Sequence, residues 1–159
     1  MQNPKPVLLV EDNIVNALAV KRVFGNLKVP KSVVHLENGE EALKYLKNGS
    51  NRKPDLILLD INIPGMNGID FLRIIKGNPI LKSIPVVMLT TSDDERDITD
   101  CFELNVVGYV IKPLDEELFV ETIETVARYW CCSKLPNIKA PVERYDSSQN
   151  TAEAVSLQK

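Results

Sequence analysis

Apolar positions along the chain fall into two alternating patterns. Short unbroken runs occur at Val7 to Val10, Val33 to Leu36, Leu56 to Leu59, Pro85 to Leu89 and Val106 to Ile111. Such runs, without in-out alternation, suit strands covered on both faces, as in a parallel sheet flanked by helices. After each run the spacing changes to three and four residues, which builds one face of a helix. The helical sets are Ile14, Leu18, Val23 and Phe24; Ala42, Leu43 and Leu46; Ile69, Leu72 and Ile75; Ile98, Cys101 and Phe102; and Phe119, Ile123, Val126 and Trp130. Gly25 with Pro30, Asn48-Gly49-Ser50-Asn51 and Gly77-Asn78-Pro79 separate them.

Five strands alternating with five helices predict an α/β fold with right-handed crossovers. The second run is short and carries His35, so it belongs at a sheet edge. Strand order 2-1-3-4-5 follows, a flavodoxin-like doubly wound five-stranded parallel sheet with the Leu56 strand in the middle. The chain of 159 residues is expected to hold one domain over 1–136 and a polar tail over 137–159, where no period is sustained.

Charge and composition remove several function classes. A net charge of −3 gives no concentrated basic face, which argues against nucleic acid. No apolar run approaches the ~18 residues that cross a membrane. The start MQNPKP enters a strand at once and does not read as a secretion signal. Cys101, Cys131 and Cys132 have no zinc spacing and form a poor disulfide framework. Free thiols in a reducing cytoplasm are expected, with Cys101 in a core.

The ends of the strands carry the chemistry. The first ends in Glu11 and Asp12, the third in Asp60, the fourth in Thr90 and the fifth in Lys112. A parallel sheet gathers those ends on one edge, so three carboxylates, a hydroxyl and an ammonium converge. Three acids against one lysine leave negative charge in excess, and such charge must be paired or bind a metal. Mg²⁺ suits the set, because it takes one or two protein carboxylates and keeps other positions for water or phosphate. A carboxylate can also act as a nucleophile and form an acyl phosphate. Asp60, on the central strand, is the natural phosphoacceptor, with Lys112 and the Thr90 hydroxyl placed to contact phosphoryl oxygens. Thr91 neighbours Thr90, and alternation lets only one of the two point at the site.

LLVEDN, LILLDINIPGMNG, VVMLTTS and GYVIKP resemble the motifs of the response-regulator receiver domain of two-component signalling, over about residues 5 to 131. The resemblance implies that a partner histidine kinase phosphorylates Asp60. It implies Mg²⁺ held by Glu11, Asp12, Asp60 and the carbonyl of Asn62, and a cis bond before Pro113. It also implies a switch pair, Thr90 and Tyr109, that reports phosphorylation. NPILKSIPVVMLTTS and VARYW are further similar to stand-alone receivers that pair with bacterial and cyanobacterial phytochromes. Ile63 before Pro64 is a conservative departure from the usual Met or Leu.

The competing class is an enzyme, a small aspartyl-phosphate phosphatase of haloacid dehalogenase type. It needs a second Asp two residues after the nucleophile, and Asn62 there cannot transfer protons. The reading is therefore a phosphorylation switch, not an enzyme, with only its own phosphorylation and dephosphorylation as chemistry. The tail lacks basic clusters, so output is expected through protein contact or a homodimer on the face formed by helix four, strand five and helix five. His35, alone in a strand, is expected to be structural.

Overall fold

A computed structural model describes residues 4–135. The expected tail, 137–159, lies outside the described residues. Ten elements alternate: β1 (Val7–Val10), α1 (Ile14–Gly25), β2 (Val33–Leu36), α2 (Gly39–Lys47), β3 (Leu56–Leu59), α3 (Gly68–Lys76), β4 (Val86–Thr90), α4 (Glu95–Glu103), β5 (Gly108–Ile111) and α5 (Glu116–Cys132). The strands form one parallel sheet in the order β2-β1-β3-β4-β5, as the pattern predicts.

Strand alternation divides the interior into two layers. Leu8, Val10, Ile57, Leu59, Val86 and Met88 pack toward α2, α3 and α4. Val7, Leu9, Leu56, Leu58, Val87 and Leu89 pack toward α1 and α5, against Ala17, Phe24, Phe119 and Ile123. Both faces of the central strands are covered, which is why their apolar runs are unbroken.

Each helix starts on a side-chain cap. Asn13, Asn38, Asn67, Asp94 and Asp115 accept main-chain N–H bonds from the first turns of α1 to α5 in order. Such a cap contributes about 1 kcal/mol. Here all five fix a helix start close behind a strand end, and so hold the loops of one sheet edge.

Two helices differ from the expected pattern. On α1 the buried residues are Ala17, Val20, Val23 and Phe24, whereas Ile14 and Leu18 are 61% and 54% exposed. Small Ala17 lets α1 approach the sheet, and Ile14 and Leu18 turn outward. On α4 only Cys101 is buried; Ile98 is half-buried and Phe102 faces solvent. β5 also begins at Gly108 rather than Val106, because Asn105 takes a left-handed φ of 62° that turns the chain first. The three cysteines are free thiols, Cys101 buried and the other two exposed. No helix among the described residues is long and apolar enough to cross a membrane.

Candidate phosphoacceptor and metal site

The sheet's own backbone carries the site residues into position. Glu11 N–H donates to the Leu36 carbonyl, Asp60 N–H to Val10 and Lys112 N–H to Thr90, at 3.1, 3.1 and 2.8 Å. Ladder bonding thus continues past the last strand residue on three strands. Glu11 is held further: Asn13 N–H donates to its Oε1 at 3.1 Å, and His35 Nε2 donates to its carbonyl at 2.6 Å. His35 is structural, as expected.

Lys112 joins the two buried acids. Its Nζ lies 2.5 Å from Glu11 Oε2 and 2.8 Å from Asp60 Oδ2. Asp60 Oδ1 accepts from the Asn62 N–H at 3.2 Å. Burial acts on both signs of charge. It pushes the Glu11 carboxyl above its ordinary pKa, with the Lys112 hydrogen bond opposing. Burial pulls the Lys112 ammonium down, but its hydrogen bonds to Asp60 and Glu11 outweigh that and leave it raised. The ammonium is therefore firmly charged while one acid is in excess.

Asp12, exposed beside this pair, completes an acid cluster. Glu11, Asp12 and Asp60 each offer a carboxylate oxygen, and these oxygens lie within 4.8 Å of one another. Three hard oxygen donors with an uncompensated negative charge fit a divalent cation. Magnesium titration should perturb NMR signals of Asp12, Asp60 and Asn62. Asp12→Ala should weaken the affinity at least tenfold, or ~1.4 kcal/mol; an unchanged affinity would remove Asp12 from the metal shell.

The structure separates Thr90 from Thr91: Thr90 is buried and Thr91 exposed. Thr90 Oγ1 accepts the Ser92 N–H at 3.3 Å. Tyr109, half-buried in β5, donates its hydroxyl to the Ser92 carbonyl at 2.8 Å. Burial raises the Tyr109 phenol above its ordinary pKa, so it remains a donor. Both proposed switch residues therefore meet at Ser92, which the sequence pattern did not single out. Its one visible signal was a hydroxyl two residues beyond the Thr90 strand end.

One expectation is corrected. There is no cis peptide bond among the described residues, so the bond before Pro113 is trans. Trans is favoured by about 0.5–1 kcal/mol at proline unless its surroundings hold the other isomer. Here Lys112 reaches both acids from the trans bond.

With this geometry established, comparison with known proteins settles the family. The model of the response regulator receiver domain matches residues 7–124. The chain belongs to the response-regulator receiver family. Receiver domains are signalling proteins that accept phosphate from histidine kinases, and are not classical enzymes. A probable methanogenesis regulatory protein, FilR2, of Methanothrix harundinacea is 36% identical over 81% of this chain and 85% of its own. Response regulator Rcp1 of Synechocystis is 34% identical over 80% and 89%. Among solved structures, the Mn²⁺-bound form of Rcp1 superposes with a TM-score of 0.80 at 35% identity, covering 84% of this chain and 99% of that one. The phosphorylated cyanobacterial phytochrome response regulator RcpA gives 0.79 at 36%, with the same coverages. The receiver fold agrees with the sequence reading, and one of these relatives, RcpA, is a phytochrome response regulator.

Proposed function

We propose that this receiver takes a phosphoryl group onto Asp60 from a histidine kinase, with Mg²⁺, and passes the change to a protein partner. The observation that carries this is Asp60 itself: a central strand-end carboxylate paired with Lys112 beside two further acids. A phosphoryl group leaves the donor imidazole as its P–N bond breaks and a P–O bond to Asp60 forms. Lys112 Nζ neutralises a phosphoryl oxygen, and the Thr90 hydroxyl, whose oxygen already accepts from Ser92, donates to another. Glu11, Asp12, Asp60 and the Asn62 carbonyl would hold Mg²⁺, which would supply further positive charge at the same place.

The outward apolar face of α1 supports a protein donor rather than a small one alone. Val15 and Leu18 line one groove with Leu114, which is 99% exposed, and Ile14 of α1 and Leu118 of α5 are exposed on the same two helices. Both α1 and the segment at Leu114 follow strand ends, next to the acid cluster. A kinase helix seated there brings its phosphohistidine to Asp60. The likeness to the phytochrome response regulator RcpA supports a phytochrome-type sensor as that kinase.

Output is proposed through α4, β5 and α5. Residues 93–125 hold eleven acidic and two basic residues, one of the two being the buried Lys112, while the rest of the chain has eleven acidic and seventeen basic. A second copy on this face would set acid against acid, so a basic partner surface fits it better than a homodimer.

Acetyl phosphate with Mg²⁺ should add one acid-labile phosphoryl group, and slow or speed hydrogen exchange over α4–β5–α5. Thr90→Ala should still take the phosphate yet lose that change. No uptake by the wild-type chain would sink the phosphoacceptor reading; a full response in Thr90→Ala would remove Thr90 from the coupling.

A further inference from the structure

Ser92 makes contacts that neither the metal site nor the phosphoacceptor requires. Its N–H donates to Thr90 Oγ1 and its carbonyl accepts from the Tyr109 hydroxyl. Its own hydroxyl donates to Asp97 Oδ2 at 2.6 Å, in the first turn of α4, and accepts weakly from Asp94 N–H at 3.4 Å. A hydroxyl–carboxylate bond of that length is charge-assisted, about twice as strong as a neutral one.

The rest of α4 shows why this bond matters. Cys101 is its only buried residue. Beyond it, Leu104, the C-cap, and the left-handed Asn105 close the C-terminal end. The N-terminal half has no buried side chain. Among the described residues, the side-chain polar links from α4 to other elements are Ser92–Asp97 and a 4.0 Å, half-exposed Arg73–Asp100 pair. An exposed pair of that kind contributes little. The N-terminal half of α4 is thus tied to the end of β4 chiefly through one hydroxyl.

The bonds to Thr90, Tyr109 and Asp97 differ in what a mutation can remove. Those to Thr90 and Tyr109 use main-chain atoms, which any residue but proline supplies at 92. The bond to Asp97 uses the side chain, which only a hydroxyl supplies. A threonine hydroxyl can accept and donate at once. When the Thr90 hydroxyl donates toward a group on Asp60, its oxygen keeps the Ser92 N–H, and residue 92 moves with it.

We propose that Ser92 is a positioning residue that divides the signal from Asp60 into two separable outputs, its carbonyl carrying it to Tyr109 in β5 and its hydroxyl carrying it to Asp97 in α4. This rests on Asp60 being the phosphoacceptor. A simple helix-capping role for Ser92 would alter α4 whether or not Asp60 is modified; the divided relay alters only the response to modification.

The test is NMR on the full chain, with acetyl phosphate and Mg²⁺ as the probe and acid-labile phosphate measured in parallel. In the wild type, amide signals of Asp97 to Cys101 and ring signals of Tyr109 should both shift on phosphorylation. In Ser92→Ala, phosphate uptake and the Tyr109 shift should persist, while the α4 shifts fall at least threefold. Ser92→Thr should restore them, Asp97→Ala should mimic Ser92→Ala, and the double variant should be no worse than either single one. Full α4 shifts in Ser92→Ala, or loss of the Tyr109 and α4 responses together, would overturn the division while leaving the phosphoacceptor intact. Absence of phosphate on the wild-type chain would overturn both.

Discussion

Asp60→Asn should take up no phosphoryl group from acetyl phosphate and Mg²⁺ under conditions where the wild-type chain takes one. The amide has the shape of the carboxylate but neither its charge nor a nucleophilic oxygen pair, so no acyl phosphate forms. The variant is also a clean one. Lys112 keeps its 2.5 Å bond to Glu11, and the buried site loses one of two acids that share a single ammonium. Stability should therefore change by no more than about 1 kcal/mol, whereas removing the lysine would strand two buried acids at about 3–5 kcal/mol. Intact-mass measurement of phosphate and a urea titration separate the two effects. Phosphate on the Asn variant at the wild-type level would place the acceptor elsewhere, with Asp12 the nearest candidate.

Much of this site could be read in the sequence because parallel topology converts a one-dimensional pattern into an edge. Once Val10, Leu59, Leu89 and Ile111 are recognised as strand residues, the polar residues after them must lie together. The order of strands followed from the same source: central runs are wholly apolar, and the run with His35 is not. Burial within helices was less legible. On α1 two stripes compete, and side-chain size favoured Ile14 and Leu18, but the sheet accepts Ala17 and Val20. What decides is the distance between helix and sheet, which no local pattern encodes. Ser92 was invisible for a related reason. Its partners are two hydroxyls and an acid brought together by three elements, and polar contacts of that kind have no period. The isomer at Pro113 likewise depends on its surroundings and not on the Lys-Pro pair.

Gly68→Ala should cost about 2–3 kcal/mol, a large share of the 5–15 kcal/mol that holds a domain of this size. Gly68 opens α3, and its N–H donates to the Ile61 carbonyl at 2.8 Å, folding the 61–67 loop back onto the end of β3. A Cβ there would lie inside the contact radius of the Asp60 carbonyl oxygen, 2.8 Å from Ile61 Cα and 2.9 Å from the Asp60 carbonyl carbon. All three obstacles are backbone, so no rotamer change relieves them. Alanine improves helix propensity by up to about 1 kcal/mol, which is too little to offset this clash. Relaxation must instead move the Asp60–Ile61 peptide, which carries the phosphoacceptor and precedes Asn62. The variant should therefore lose metal affinity and phosphate uptake along with stability. Gly25→Ala is the control: nothing lies within 4 Å of a Cβ there, so it should be neutral or slightly stabilising. A Gly68→Ala chain that melts in urea at the wild-type midpoint would show that the loop is free to withdraw from α3, and that the close packing behind Asp60 is not needed to hold it.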